Sequence, residues 1–261
     1  LLVASLLAST AQAAALKDSN PLQAKARVES YALKDSDPLQ AKARVESYAP
    51  QQMDLVYDLY RNGHKLGQVI DTFTRKSDRY TLTSETRAAG PLKLLWPGTI
   101  RLESSGEVTR EGLRPTQFQH ARSDAPHKLA TARLDWKQER IAYQYKGKSW
   151  QVSGLQNGAQ DQLSQLYQFM FLPRLPEDYS LQVVSGRDLN DYRYARSDSG
   201  VIQTPLGALA TQRYQRITQK PDQKAVTVWI APAQNNLPVQ IRVSEDGVTV
   251  EQRLVSASVK D

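Results

Sequence analysis

The chain has 261 residues, of which 40% are hydrophobic and 23% charged, with a formal net charge of +7 and no cysteine. That length and apolar content suffice for a full hydrophobic core, in one large domain or two smaller ones. Without cysteine there are no disulfides, thiolate metal sites or cysteine nucleophiles, and no lipid attached through a cysteine.

In chain order, residues 1–8 form an apolar run, and Ser9-Thr10-Ala11-Gln12-Ala13-Ala14 follows it. This is the pattern of a signal-peptide core and a small-x-small cleavage site, with cutting expected after Ala13. The run is too short for a membrane span, which takes about twenty apolar residues. It predicts an exported, periplasmic protein that is not lipidated; the competing reading is a short buried helix. Residues 14–51 are a leader built from a tandem duplication, in which residues 16–32 return as 33–49 with Asn20 replaced by Asp37. Two copies of seventeen residues are too few for a solenoid. Short helices without a packing face are marginal in water, so the segment is expected to be a flexible connection.

From Met53 the hydrophobic pattern switches to period two. Leu55, Tyr57 and Leu59 alternate with Asp54, Val56 and Asp58, and Asn62-Gly63 supplies a type I′ hairpin turn. Further short strands are expected to about residue 152, with turns near Gly112 and Gly147. The stretch from Pro91 to Pro97 is apolar but framed by Gly-Pro and Pro-Gly, so it cannot continue a central strand. Residues 159–172 are predicted as the single helix, because Leu163, Leu166, Tyr167 and Met170 recur at i, i+3, i+4 and i+7. Asp161 or Asn157 is the expected cap and Pro173 the stop. Strands resume near Ser180 and continue to the end, with turns expected at Ser197-Asp198-Ser199-Gly200 and Glu245-Asp246-Gly247. The fold class is therefore mainly β: an antiparallel meander over residues 52–261, curved into a barrel or two packed sheets, with one inserted amphipathic helix. That helix is expected to plug the concave side of the sheet or to wall a pocket there.

Several strings carry a resemblance. They are Asn62-Gly63 with Gly67, Gly112-Leu113-Arg114-Pro115 with Phe118, Leu134-Asp135-Trp136, and Asp161-Gln162-Leu163-Ser164 with Tyr167-Gln168. Thr204-Pro205-Leu206-Gly207, Trp229-Ile230-Ala231-Pro232 and Leu237-Pro238-Val239 complete the set. Over about residues 52–257 the chain resembles the exported bacterial family of domain-of-unknown-function number 3108. The resemblance implies a secreted, mostly antiparallel β-fold and carries no activity or catalytic residues with it.

Chemistry is sparse. His64, His120 and His127 are isolated, no zinc-binding spacing appears, and no metal or cofactor is expected. No nucleophile elbow, phosphate-binding loop or dinucleotide fingerprint is present. Asp135 and Asp161 are the one pair of acids worth weighing for hydrolysis; Asp161 reads better as a helix cap, and no catalytic residue is assigned. Between Arg110 and Lys148 nine Lys/Arg face four Asp/Glu. Arg110, Arg114, Arg122, Lys128, Arg133, Lys137 and Arg140 form a candidate basic face for anionic headgroups or envelope polymers, against the plainer reading of a solvated sheet face. No aromatic-basic interleaving marks a nucleic-acid platform. Trp136, Trp150 and Trp229 on strands, Tyr167 and Met170 on the helix, and Leu94, Leu95 and Trp96 in the apolar loop are the candidate pocket and its mouth. A binding or carrier module for a lipid-like ligand is the leading expectation. A structural or protein-interaction module of the envelope comes second, and an envelope hydrolase third.

Overall fold

A computed structural model describes residues 50–90, 98–172, 174–218 and 224–260. The expected signal sequence, nearly all of the duplicated leader and the apolar loop with Leu94, Leu95 and Trp96 lie outside the described residues. Fifteen strands join one sheet: β1 (Gln52–Arg61), β2 (His64–Lys76), β3 (Arg79–Ala88), β4 (Thr99–Thr109), β5 (Gly112–Arg122), β6 (Ala130–Asp135), β7 (Arg140–Tyr145), β8 (Lys148–Ser153), β9 (Gln160–Asp161), β10 (Asp178–Val184), β11 (Leu189–Thr204), β12 (Gly207–Arg216), β13 (Ala225–Ala231), β14 (Leu237–Glu245) and β15 (Val248–Lys260).

The sheet order is β8-β7-β6-β5-β4-β3-β2-β1-β15-β14-β13-β12-β11-β10-β9. Every strand but β9 follows a hairpin meander, and β1 lies beside β15 with Gln52 opposite Lys260. The chain thus starts and finishes in the middle of its own sheet. The two edges, β8 and β9, are consecutive in sequence and are joined by only residues 154–159, so the sheet must curl to bring them together. No backbone ladder joins β8 to β9, and side chains link the elements beside them. The Gln156 N–H donates to the Gln182 amide oxygen at 2.9 Å, and the Arg187 guanidinium lies 5.1 Å from the Tyr145 ring. The architecture is barrel-like and not closed by backbone hydrogen bonds.

Period-two alternation sets the inner face. Met53, Leu55, Tyr57 and Leu59 of β1 are at most 1% exposed, and the residues between them are not fully buried. Asn62 and Gly63 both have positive φ, at 46° and 84°, as the expected type I′ turn requires. Every strand except β9, whose two residues are polar, contributes to one apolar core.

Two expectations need correction. The predicted helix over 159–172 is a single α turn, α1 (Ser164–Tyr167), continued by a 3₁₀ turn over Gln168–Phe171; Gln160–Asp161 is the short strand β9, paired in parallel with β10. A helical period in the sequence reports burial only along one face, whereas here every residue from Ser164 to Phe171 is buried. The segment lies inside the curved sheet, so the surrounding strands enclose it on all sides and no long helix fits. The expected turn at residues 197–200 is absent as well. β11 runs straight through it with a register shift between Ser197 and Ser199, and the chain reverses at Thr204-Pro205-Leu206-Gly207. A bulge absorbs the extra residue without breaking the ladder.

Candidate functional site

The internal helical segment is fixed by polar groups that the strands aim inward. Asp71 sits between Val69 and Phe73 in the buried phase of β2 and is 1% exposed. It accepts a short hydrogen bond from the Tyr167 hydroxyl. Asp161, fully buried, accepts the backbone N–H groups of Leu163 and Ser164 at 2.9 and 2.8 Å, and the Ser104 hydroxyl at 2.5 Å. It is thus the expected cap of the first turn. Tyr80 extends the chain to Ser104 at 2.9 Å. Burial pushes both carboxyls up to about 6, against the pull of the hydroxyl and N–H donors around them.

Two glutamines tie the segment to β5. Gln168 accepts the Leu113 N–H at 2.7 Å and donates to the Glu111 carbonyl at 2.9 Å, and Gln160 donates to the Leu113 carbonyl at 2.7 Å. Gly112 makes this possible: its φ is +108°, and a Cβ there would stand 2.3 Å from the Gln168 amide nitrogen. Gly112→Ala is therefore expected to displace Gln168 and to cost about 1–3 kcal/mol, read as a lowered midpoint in chemical denaturation. An unchanged midpoint would mean that the segment is anchored elsewhere.

On the opposite side, Asn235 and Asn236 both adopt left-handed backbone, at φ 53° and 57°, a conformation asparagine tolerates. The turn they make lets the Asn236 amide donate to the Phe169 carbonyl at 3.1 Å. Between this turn, the segment and the strand ends lies a pocket of about 370 Å³. It is lined by Met170, Leu206, Leu209, Ala233, Gln234, Asn235, Leu237, Ala257 and Val259. The pairings place it at the end of the sheet where β15 finishes and the β11–β12 and β13–β14 connections turn. Leu206 and Val259 are 47% and 41% exposed at its rim.

Among the described residues singled out in the sequence as pocket candidates, Met170 alone lines this pocket. Tyr167 is spent on Asp71 in the core. Trp136 donates to the Pro115 carbonyl at 2.8 Å and lies under Arg114, Trp150 stacks on Tyr143 at 5.3 Å, and Trp229 lies under Arg242. The basic residues are not gathered in one patch: Arg110 is in the turn before β5 and Arg122 is at its far end, some eleven residues of strand away, about 35 Å. Arg122 is paired with Asp124 at 2.7 Å. Arg140 bonds Gln151 at 3.4 Å, while Arg133 and Lys137 are exposed and Lys128 is half-buried. Asp135 is exposed, accepting the Gln138 N–H in the turn after β6, far in environment from the sealed Asp161. Among the described residues no group of three His, Asp or Glu side chains is placed to hold a metal ion. His64 and His127 are exposed, and His120 is held below its ordinary pKa by burial and then by the nearby Arg122 and Arg187 charges.

Leu206, Leu209, Leu237 and Val259 were not recognised in the sequence as pocket residues. For Leu206 and Leu209 the one local signal is the absence of charge over residues 199–212; Leu237 and Val259 had none. Asp71 also had a signal, an acid in the inward phase of an otherwise apolar strand.

The profile of the protein family of unknown function DUF3108 matches residues 56–253. The chain belongs to this family. The fold is shared with a β-barrel-like protein of the domain of unknown function DUF1849 from Brucella abortus, at 10% identity and a TM-score of 0.53, over 80% of this chain and 98% of that one. Weaker likeness extends to a candidate lipoprotein from Parabacteroides distasonis, at 9% identity, TM-score 0.35, 81% of this chain and 98% of the other. A DUF1329 family protein from Desulfovibrio piger follows at 11% identity and TM-score 0.22, over 86% of this chain and 94% of the other. No curated protein matches the DUF3108 chain. Among its described residues no helix is long and apolar enough to cross a membrane.

Proposed function

We propose that this DUF3108 chain is a non-catalytic binding module for an apolar, lipid-like ligand of the cell envelope, held at the pocket between Met170 and the ends of β12, β14 and β15. The observation that supports this reading is the pocket itself. At about 370 Å³ it lies in the lower part of the range typical of small-ligand sites, about 300–1,000 Å³. Seven of its nine lining residues are apolar, about half of its exposed wall is polar, and its polar side chains, Gln234 and Asn235, are uncharged. Such a lining suits a single acyl chain or another slender apolar group, with the amides at the rim meeting a polar head. The apolar run and cleavage pattern of residues 1–14 support export to the periplasm, where such ligands are membrane components.

The pocket-filling variant Ala257→Trp tests the reading. Titration with a dansyl-labelled undecanoic acid is expected to show saturable binding to the unaltered protein and at least about tenfold weaker binding to the variant. No binding by the unaltered protein, or equal binding by the variant, would overturn the proposal.

A further inference from the structure

The β11–β12 hairpin extends past both of its neighbours. β10 pairs with β11 only as far as Ala195, and β13 pairs with β12 only over Gln212–Gln215, while the hairpin ladder continues to Thr204 opposite Gly207. The part beyond these pairings, about six residues per arm, is about 20 Å of strand and overhangs the pocket, which Leu206 and Leu209 line. From Ser199 to Gln212 there is no charged residue, in a chain where 23% are charged.

A projecting hairpin in water ordinarily carries polar side chains on its outer face. Here the outer face carries Val201, Ala208 and Ala210 beside polar side chains that are all uncharged, Ser199, Gln203 and Gln212. Ile202 and Leu209 are opposite each other and half-buried, on the side that packs towards the pocket. Val201 and Ala210 are opposite each other on the outer side, where Val201 is 64% exposed. At the tip, Thr204 takes the Leu206 N–H at 3.1 Å and donates to the Gly207 carbonyl at 3.0 Å. The turn therefore satisfies its polar groups locally and leaves Leu206, at the pocket rim, 47% exposed.

We propose that this hairpin is a membrane-contact finger: its outer face and tip enter the interfacial region of a lipid bilayer, with the pocket opening just beneath. The inference rests on the lipid-like ligand proposed above, because it supplies the route by which such a ligand reaches the pocket from a membrane. The chemistry favours a lipid surface over a protein partner. Protein interfaces carry a polar, commonly charged rim that sets register, whereas a charge placed in a bilayer is strongly penalised. Fourteen residues without a charge fit the second requirement. A finger of about 20 Å also exceeds the roughly 5–10 Å by which interfacial elements are buried. Contact of this kind needs no anionic lipid.

The test is flotation with vesicles of phosphatidylcholine alone, repeated with phosphatidylglycerol added and again at high salt. The variant Val201→Glu/Ala208→Glu places charges on the outer face, on residues that do not line the pocket. The unaltered protein is expected to float with neutral vesicles regardless of salt, and the double variant to lose this at least about tenfold while binding the soluble dansyl probe as before. The pocket-filled Ala257→Trp should still float, so a failure of the pocket reading shows in the probe titration and a failure of the finger shows in flotation. The proposal is overturned if the unaltered protein does not float. It is also overturned if the double variant floats equally, or if flotation needs anionic lipid and vanishes at high salt. Sedimentation giving a dimer that the double variant abolishes, without any vesicle binding, would assign the face to a second copy and overturn it too.

Discussion

Phe169→Ala is expected to lower the stability of the folded state by about 3–5 kcal/mol, the range for deleting a large buried aromatic side chain. Phe169 is 1% exposed and stands at the centre of an aromatic cluster, with ring centroids 4.9 Å from Tyr214, 5.5 Å from Tyr179 and 6.2 Å from Tyr194. Truncation removes contacts to three rings on three strands, β10, β11 and β12. Collapse into the cavity is opposed because two of those tyrosines are anchored: Tyr214 donates to the Pro176 carbonyl at 2.5 Å and Tyr194 to the Gln165 amide oxygen at 3.1 Å. Leu166→Ala, at 2% exposure on the same segment, should cost about 2–5 kcal/mol. Urea denaturation followed by circular dichroism measures both. A change under about 1 kcal/mol in Phe169→Ala would mean that the segment is not a packed element of the core.

The second large effect is a dependence of stability on pH. Asp71 and Asp161 have folded-state values near 6, raised by burial from the ordinary 3.8. A raised carboxyl binds its proton more tightly when folded, so stability is greatest below the unfolded value and is lost as pH rises from about 4 to about 6, with little further change above. A shift of about two units corresponds to on the order of 3 kcal/mol per group. Carboxyls with lowered values act in the opposite sense. Glu251, although burial alone would raise it, is held low by Arg253 and Arg242, and Glu85 likewise by Arg87 and Arg101; their contribution is lost as pH falls. The buried pair is isolated by substitution. Asp71→Asn should flatten the fall in stability between pH 4 and pH 7 by on the order of 3 kcal/mol, because an amide has no proton to lose. The uncharged oxygen can still accept the Tyr167 hydroxyl. If Asp71→Asn follows the same pH curve as the unaltered protein, then Asp71 is not the buried acid responsible.

These two effects share a physical origin. The helical segment enters the sheet with polar groups that cannot reach water, so each must be answered by a strand residue. Asp161, Gln165 and Gln168 are answered, and Gln160 through its amide nitrogen alone, its buried Oε1 having no partner. Asp71 Oδ1 and the Thr86 hydroxyl, both buried on adjacent strands, have no hydrogen-bond partner. A neutral, protonated Asp71 is the form that such surroundings tolerate best.

Much of the fold could be read in the amino-acid sequence because it rests on local rules. Period-two runs such as Leu55-Tyr57-Leu59, the Asn62-Gly63 turn and Gly112 at a reversal each report a conformation decided within a few residues. The cap at Asp161 was legible for the same reason, since a carboxylate and the next two or three N–H groups form a local unit. The strings through residues 62–239 likewise carried the family. What lay beyond reach depends on residues far apart in the chain.

The helix was over-extended because its apolar spacing was compatible with a single buried face. Only the curl of fifteen strands around it shows that all faces are buried and that one turn of α suffices. The reversal at Thr204 was misplaced because Ser197-Asp198-Ser199-Gly200 has turn composition, and only pairing with Gln212–Arg216 reveals a bulge that lets the strand run on. The pocket joins Met170, the Asn235 turn, Leu206 and Val259, which no window of sequence brings together. By itself, then, the sequence determined an antiparallel β meander with one helical interruption, because side-chain alternation and turn chemistry act over a few residues. Only the tertiary structure decided that the interruption is an internal plug, that two carboxyls are sealed beside it, and that an uncharged hairpin overhangs a pocket. Those properties follow from sheet curvature and long-range register, which fix which distant side chains share one interior.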